Sequence, residues 1–218
     1  MKKLKLYVKR YRATLFVMVI ILLLAGCGSK DAIPASLDGQ SKGAIKLMSW
    51  DKTPEMSIDL NKQYKANVET SKGSFVIELY ANEAPVTVNN FVFLAQEGFY
   101  EGITFHSIIE SFMIQTGDPT GNGTGNAGYR IPDELETDRD YEEGIVAMFN
   151  TGSPNSGSSQ FFICTGPDAE NLNRQPNYSI FGKVIAGMDT VRKISVTPVV
   201  NGVPSEQVTI VSISIEEK

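Results

Sequence analysis

The sequence from residue 63 to residue 218 predicts a mainly β fold, a closed eight-stranded antiparallel β-barrel capped by two α-helices. Three observations support this. Eight short runs are rich in β-branched and aromatic residues, glycine-rich turns separate them, and only two segments have helical periodicity. A parallel α/β fold would need a crossover connection, usually a helix, between successive strands. Two helices for eight strands therefore favour an antiparallel sheet, and closing it into a barrel removes its edges.

The predicted strands follow one another along the domain. The first two, residues 64–70 and 74–80, alternate in hydrophobicity on either side of Lys72-Gly73, which is typical of a hairpin. The other six are predicted at residues 103–109, 112–116, 145–149, 160–164, 179–184 and 208–215.

Two segments have the pattern of an α-helix. Residues 85–96 begin with Pro85, which suits the first turn of a helix, and end before Gly98. Their apolar residues at positions 88, 91, 92 and 95 share one helical face. A shorter helix is predicted at residues 188–194.

The first 27 residues have the layout of a secretory signal. Six Lys and Arg residues precede an apolar run at 15–24, which ends in the tetrapeptide Leu-Ala-Gly-Cys. The run is shorter than the roughly 20 residues that span a bilayer, so a retained transmembrane helix is less favoured. The tetrapeptide resembles a bacterial lipobox, which would make Cys27 the lipidated first residue of the mature chain.

This layout predicts three parts: a lipoprotein signal peptide at 1–26, a lipid-anchored flexible linker at 27–62, and a folded domain at 63–218. The linker is rich in Ser, Lys, Asp, Gly and Pro. A short ordered patch around Met48 and Trp50 is the less favoured interpretation of its end. The predicted location is the extracytoplasmic face of the cell membrane, to which Cys27 would anchor the chain.

Charge and cysteine content exclude several classes of function. Loss of residues 1–26 would remove six of the 20 basic residues and none of the 25 acidic ones, leaving 14 basic against 25 acidic residues and a formal charge of −11. Nucleic acid is therefore not an expected partner. Lipidation of Cys27 would leave only Cys164, so no intramolecular disulfide is expected. One histidine and no cysteine cluster predict no metal site, and no cofactor is expected.

One glycine-rich motif has the spacing of a dinucleotide site. Residues 123–128, Gly-Thr-Gly-Asn-Ala-Gly, fit G-x-G-x-x-G, but the Tyr-Arg-Ile-Pro that follows does not begin a helix. The motif is therefore better explained as a loop with positive φ angles.

Several blocks occur in the order found in one family. They are Ala-Pro-Val-Thr-Val-Asn-Asn-Phe at 84–91, Tyr-Glu-Gly-Ile-Thr-Phe-His at 100–106, Phe-Met-Ile-Gln-Thr-Gly-Asp at 112–118, Gly-Thr-Gly at 123–125, Ala-Met at 147–148, Asn-Ser-Gly-Ser-Ser-Gln-Phe-Phe-Ile at 155–163 and Phe-Gly-Lys-Val at 181–184. The domain thereby resembles the cyclophilin family of peptidyl-prolyl cis/trans isomerases. The resemblance implies a monomer whose partners are Xaa-Pro segments of exported polypeptides.

The resemblance also implies a site. Phe112, Met113, Phe162 and Leu172 would line the proline pocket, with Tyr178 closing it. Gln115 and the backbone around Asn150 would hold the peptide, His106 would form a wall rather than act as a base, and Phe149, in place of the usual alanine, would narrow the groove. The alternative from alternation alone is that Phe112, Met113 and Phe162 are core residues.

One departure from the family concerns catalysis. Active members read Phe-His-Arg where this chain reads Phe105-His106-Ser107. The arginine is the donor aimed at the prolyl nitrogen, and a serine hydroxyl is uncharged and shorter in reach. Two functions follow as hypotheses, a slow isomerase or a non-catalytic module that binds proline-containing peptides. Arg130 and Arg174 are the two arginines in nearby loops that would be substitutes.

Overall fold

The computed structural model describes residues 48–218. The predicted signal peptide, Cys27 and the linker as far as residue 47 lie outside this range. No helix within residues 48–218 has the length and apolar character needed to cross a membrane.

Residues 48–218 form ten strands and two α-helices. The strands are β1 (Tyr64–Thr70), β2 (Gly73–Leu79), β3 (Ser107–Ile109), β4 (Met113–Thr116), β5 (Ile145–Met148), β6 (Phe161–Cys164), β7 (Ile180–Ala186), β8 (Val199–Val200), β9 (Val203–Pro204) and β10 (Ile210–Glu217). The helices are α1 (Pro85–Gln96) and α2 (Met188–Ser195). Each of the eight predicted strands and both predicted helices has a counterpart, with ends that differ by a few residues except at β3.

Eight strands form one antiparallel sheet in the order β10-β1-β2-β7-β5-β6-β4-β3. The sheet curls around a core in which α1 packs. The prediction of a closed barrel is wrong in this respect, because the edge strands β3 and β10 share no ladder. The sheet is an open, curled half-barrel.

The seam between the two edges explains why the barrel stays open. Residues ahead of β3 meet the start of β10 through one bridge, Thr104 to Thr209, and the flanking bonds from Phe105 N to Val208 O (2.9 Å) and Ile210 N to Ile103 O (2.8 Å). The chain then turns away to pair with β4. This change of partner shortens the strand predicted at 103–109 to three residues.

A carboxylate from a distant loop caps the start of α1. Ala84 at the N-cap offers no side-chain acceptor. The carboxylate of Glu134 instead accepts hydrogen bonds from the backbone amides of Val86 (3.0 Å) and Thr87 (2.8 Å). These amides have no partner within the helix, and a negative charge at this end is favourable. The cap ties α1 to the loop that precedes β5.

Two short elements escaped prediction. A 3₁₀ helix spans Pro167–Arg174, and strands β8 and β9 form a small hairpin. Its turn is Asn201-Gly202, with positive φ angles of 53° and 79°. Asn-Gly is the sequence preferred in such turns.

Part of the predicted linker packs on the domain. Trp50 lies against Phe93 and Phe99, with ring centroids 5.3 and 5.9 Å away, and its backbone N–H donates to Ala127 O (2.9 Å). The side chain of Asn89 on α1 accepts from the amide of Ser57 (2.8 Å). We call residues 48–58 the strap. The prediction of a flexible linker at 27–62 therefore does not hold for the strap, because the side chain of Trp50 packs on an apolar surface of the domain.

Candidate active site

A row of side chains crosses three neighbouring strands on the outer face of the sheet. The register places Ser107 of β3 opposite Gln115 of β4, and Gln115 opposite Phe162 of β6. Cross-strand partners project to the same face. Their neighbours Ile114 and Ile163 belong to the main core on the other face. The row therefore lies on the face of the sheet opposite to the main core.

A second hydrophobic cluster covers this outer face. Its buried residues are Tyr80, Tyr141, Ile145, Ala147, Phe162, Cys164, Ala169 and Ile180, and half-buried side chains surround them, namely Phe112, Met113, Phe149, Leu172 and Tyr178. The structure thus brings together all six apolar residues that the resemblance assigned to the site. A buried floor with a half-exposed rim is a surface on which an apolar ring can be bound.

Tyr178 is held in place at the rim by aromatic packing and by a buried hydroxyl. Its ring meets Phe162 edge-on, with centroids 5.2 Å apart. The hydroxyl of Tyr141 donates to Tyr178 O (2.6 Å) and accepts from Tyr178 N (3.0 Å). Burial raises the pKa of Tyr141 to about 12, so this hydroxyl keeps its proton. Tyr178 is therefore held at one side of this half-buried surface, which we call the groove.

A chain of side-chain amides forms the polar side of the groove. Nε2 of Gln115 donates to Oε1 of Gln160 (2.8 Å), and Nε2 of Gln160 donates to the carbonyl of Gly125 (2.7 Å). Both glutamines are buried. No donor within residues 48–218 bonds to Oε1 of Gln115, so this oxygen is left to accept a hydrogen bond from a peptide.

The glycine-rich loop that receives these bonds needs its glycines. Gly123 has a φ of +88°, as the loop interpretation predicted. A Cβ at Gly125 would lie 2.1 Å from Oδ1 of Asp118. That carboxylate accepts from the amides of Thr120 (2.7 Å) and Asn122 (3.0 Å), which folds the loop against the groove.

His106 lies half-buried beside this loop. Within residues 48–218, both ring nitrogens are shielded from solvent and have no hydrogen-bond partner. Burial lowers the pKa of the imidazole, and the nearby Asp118 carboxylate opposes this only in part. A neutral ring packed near Gly123 suits a wall of the site.

Asn150 fixes the loop after β5. Its Nδ2 donates to Asn177 O (2.8 Å), and its Oδ1 accepts from Gly152 N (3.0 Å). Both polar atoms of the side chain are thereby hydrogen-bonded within the protein. Its backbone amide and carbonyl bond to no group in the described part of the chain, so they are available to a peptide.

The two candidate arginines occupy different places. Arg130 is exposed and lines a pocket of about 280 Å³ together with Phe149, Gln160, Thr124 and other loop residues. Ser107 is not part of that lining. Arg174 is exposed at the end of the 3₁₀ helix.

Sequence reasoning missed Gln160 and Tyr141 as residues that organise the site. Gln160 could have been found from the sequence, because it directly precedes an apolar strand. A glutamine buried at such a position requires hydrogen-bond partners. The role of Tyr141 depends on contact with Tyr178, 37 positions further along the chain.

The fold and the groove define a class of protein. A curled antiparallel sheet presents, on its outer face, an apolar floor beside Oε1 of Gln115 and the backbone of Asn150, which bond to no group within residues 48–218. Such a site suits an extended peptide that carries a small apolar ring, and proline has that shape. Within residues 48–218 no hydroxyl or thiol is hydrogen-bonded to a ring nitrogen of His106, so no nucleophile is paired with that imidazole.

Comparison with known proteins identifies the family. Residues 65–215 match the family described as cyclophilin type peptidyl-prolyl cis-trans isomerase/CLD. The chain belongs to this family, and it is therefore an enzyme that isomerises peptide bonds preceding proline.

Individual relatives agree with this assignment. Peptidyl-prolyl cis-trans isomerase-like 1 of Emericella nidulans is 43% identical over 130 residues, covering 58% of this chain and 78% of the relative. A peptidyl-prolyl cis-trans isomerase of Synechococcus elongatus is 48% identical over 103 residues, covering 47% and 70%. A crystal structure of a cyclophilin type isomerase of Cryptosporidium parvum superposes with a TM-score of 0.66 at 32% identity, covering 71% and 98%. A structure of that protein in the presence of the dipeptide Ala-Pro has a TM-score of 0.65.

Proposed function

We propose that this isomerase acts slowly on Xaa-Pro bonds of exported polypeptides at the extracytoplasmic face of a bacterial cell membrane, where Cys27 anchors it. The observation that carries the proposal is the position of Ser107. Ser107 pairs with Gln115 across the ladder between β3 and β4. By the resemblance, it stands where active members of the family carry the arginine that donates to the prolyl nitrogen.

The groove supplies the binding that such a reaction needs. Phe162 forms the buried floor, and Phe112, Met113 and Leu172 form half-buried walls on which a proline ring would pack. Oε1 of Gln115 and the backbone of Asn150 would hold the peptide on either side of the ring. These contacts restrain the substrate, but they act equally on the planar and the twisted amide, so by themselves they do not lower the barrier.

Rotation about the Xaa-Pro bond has a barrier of about 20 kcal/mol, because the C–N bond has partial double-bond character. No bond is made or broken. As the amide twists, its nitrogen becomes a better hydrogen-bond acceptor, so a donor placed there stabilises the transition state more than the ground state. The hydroxyl of Ser107 is a shorter and uncharged donor. Loss of one such donor costs on the order of 10²–10³ in rate in other enzymes.

The same serine favours a second candidate function. If no group replaces the arginine, the groove holds proline-containing segments of exported chains without turning them over, as a binding module. Arg130 is not in a position that argues against the binding module. It lines a pocket with Gln160, and the hydrogen-bonded amides of Gln160 and Gln115 lie between that pocket and Ser107.

The location rests on the N-terminal sequence. The basic segment, the short apolar run and the Leu-Ala-Gly-Cys tetrapeptide support export and lipidation. Lipidation at Cys27 would place the domain next to polypeptides that emerge from the secretion machinery, which are the substrates we propose.

Isomerisation of a short Xaa-Pro peptide, measured together with peptide binding by NMR, tests the function. We expect binding with slow turnover in the wild type. Ser107→Arg should raise kcat/KM by at least about tenfold, equivalent to about 1.4 kcal/mol of transition-state stabilisation, with a smaller change in affinity. Ser107→Lys is the matched control, because it adds a charge without the planar guanidinium, and it should gain less.

Three outcomes separate the hypotheses. Binding without measurable turnover in the wild type identifies the binding module. A wild type as fast as efficient members of the family, with no gain from Ser107→Arg, shows that another group donates to the prolyl nitrogen. Absence of peptide binding contradicts both candidate functions.

A further inference from the structure

The hairpin formed by β8 and β9 exposes unusually apolar side chains. Val200 and Val203 face each other across the hairpin, and they are 68% and 60% exposed. Exposed apolar residues scattered singly are ordinary on protein surfaces, whereas a contiguous group often marks an interaction site. Two opposed valines on a tight Asn-Gly turn form such a group, held in a defined shape.

This hairpin lies at the edge of the groove. The amide of Ile108 in β3 donates to the carbonyl of Gly202 in the turn (3.0 Å), and β9 runs alongside β3. The hairpin is therefore attached to the strand that contains Ser107.

One further exposed apolar side chain lies on β3, the strand between β4 and the hairpin. Ile109 at the end of β3 is 43% exposed and pairs across the ladder with Met113, one of the walls of the groove. Cross-strand partners share a face, so Ile109 extends the apolar surface of the groove onto β3. We call Ile109, Val200 and Val203 the apolar shelf.

We propose that the apolar shelf binds apolar residues of the substrate polypeptide that flank the proline held in the groove. The inference rests on the proposed function and extends it to a preference among substrates. The occupant follows from continuity, because a chain whose proline sits against Met113 meets Ile109 next and then the hairpin. An unfolded polypeptide exposes the apolar segments that this surface would cover, whereas a folded one buries them.

A pair of longer peptides tests the shelf with the full-length chain. Both contain one central Ala-Pro, and the flanks carry leucines in one peptide and serines in the other. We expect the wild type to bind the leucine peptide about tenfold more tightly. The double variant Val200→Ser/Val203→Ser should lose most of this preference. Val211→Ser, at an exposed valine of β10, is the matched control and should retain it.

Isomerisation of a tetrapeptide that is too short to reach the hairpin separates this inference from the proposed function. The double variant should isomerise the tetrapeptide with the same kcat/KM as the wild type. Equal affinity of the wild type for the two longer peptides, or an unchanged leucine preference in the double variant, would contradict the proposal that the apolar shelf binds the flanking residues. Failure of the wild type to isomerise the tetrapeptide would count against the proposed turnover while leaving the binding comparison decisive for the shelf.

Discussion

The ring of Phe149 stacks on that of Tyr178, with centroids 6.3 Å apart and planes inclined by 15°. Tyr178 also packs on Phe162 in the floor of the groove. Phe149 also lines the pocket of about 280 Å³ whose lining includes Gln160. Phe149 thus contacts Tyr178 at the rim of the groove and also contributes to the lining of that pocket. That its ring separates the two and narrows the groove stays a prediction.

Phe149→Ala should connect the groove with the pocket that contains Gln160. A peptide that runs from the proline pocket towards Gln160 must pass this ring, so the wild type should prefer a small residue before the proline. In the variant, affinity for a peptide with phenylalanine before proline should rise about tenfold, about 1.4 kcal/mol, relative to one with alanine. Calorimetric titration of the two peptides measures the change. Phe149→Leu keeps most of the bulk and should behave more like the wild type; an unchanged ratio in Phe149→Ala would show that the ring is no partition.

Trp50→Ala should destabilise the domain by about 2 kcal/mol, because it removes a half-buried indole from the surface formed by Phe93 and Phe99. Urea unfolding monitored by circular dichroism measures the loss. Trp50→Phe retains an aromatic ring and should lose less. If residues 48–58 behaved as a flexible linker in solution, both substitutions would leave stability unaltered. Trp50 is the single tryptophan of the chain, so the fluorescence of the wild type reports directly on the strap.

Stability should fall as the solution is acidified through the titration range of histidine. Burial lowers the pKa of folded His106, whereas the unfolded imidazole titrates near about 6.5. Below that pH the unfolded chain binds more protons than the folded one, so the free energy of unfolding decreases until the pH reaches the folded pKa. His106→Gln should flatten the dependence between about pH 5 and 7. Since this is the only histidine, an equally steep slope in the variant would assign the effect to another group.

The rate of isomerisation should, by contrast, be nearly flat between about pH 6 and 8, because the reaction transfers no proton. No side chain within the described residues hydrogen-bonds to either nitrogen of His106, as expected of a ring that forms a wall rather than a base. Measuring kcat/KM for a short Xaa-Pro peptide across this range provides the check. A bell-shaped profile that disappears in His106→Gln would identify His106 as an acid or base after all.

Cys27→Ala should release the protein from the membrane or leave it unprocessed. A lipidated N-terminus with two acyl chains gives stable attachment, whereas a single chain gives only marginal binding. Fractionation of cells that express each form measures the distribution, and Cys164→Ala is the matched control because that thiol is buried in the domain. Equal membrane retention of Cys27→Ala would show that Leu-Ala-Gly-Cys is not a lipobox.

Local pattern predicted most elements well. Residues 64–70 and 85–96 have the bounds that the sequence predicts for β1 and α1, because alternation and helical periodicity are properties of consecutive residues. The same reasoning failed at residues 103–109. There Ile103 and Phe105 are followed by two polar residues, His106 and Ser107, and then by Ile108, so the alternation shifts by one residue. The chain changes partner from β10 to β4 at this point, and hydrophobic pattern alone does not identify which strands become partners.

For the site, the sequence by itself determined the chemical groups and their order, including the serine at position 107 in place of an arginine. It could not distinguish groove from core, since Phe162 and Ile163 are both buried and look alike in the sequence. Only the tertiary structure decided that Phe162 faces the outer cluster while Ile163 faces the main core. It also decided that Gln115 reaches Gln160 and that the strap and the hairpin pack on the domain. Those contacts join residues far apart in the chain, so they depend on which strands become neighbours and on how the sheet curls.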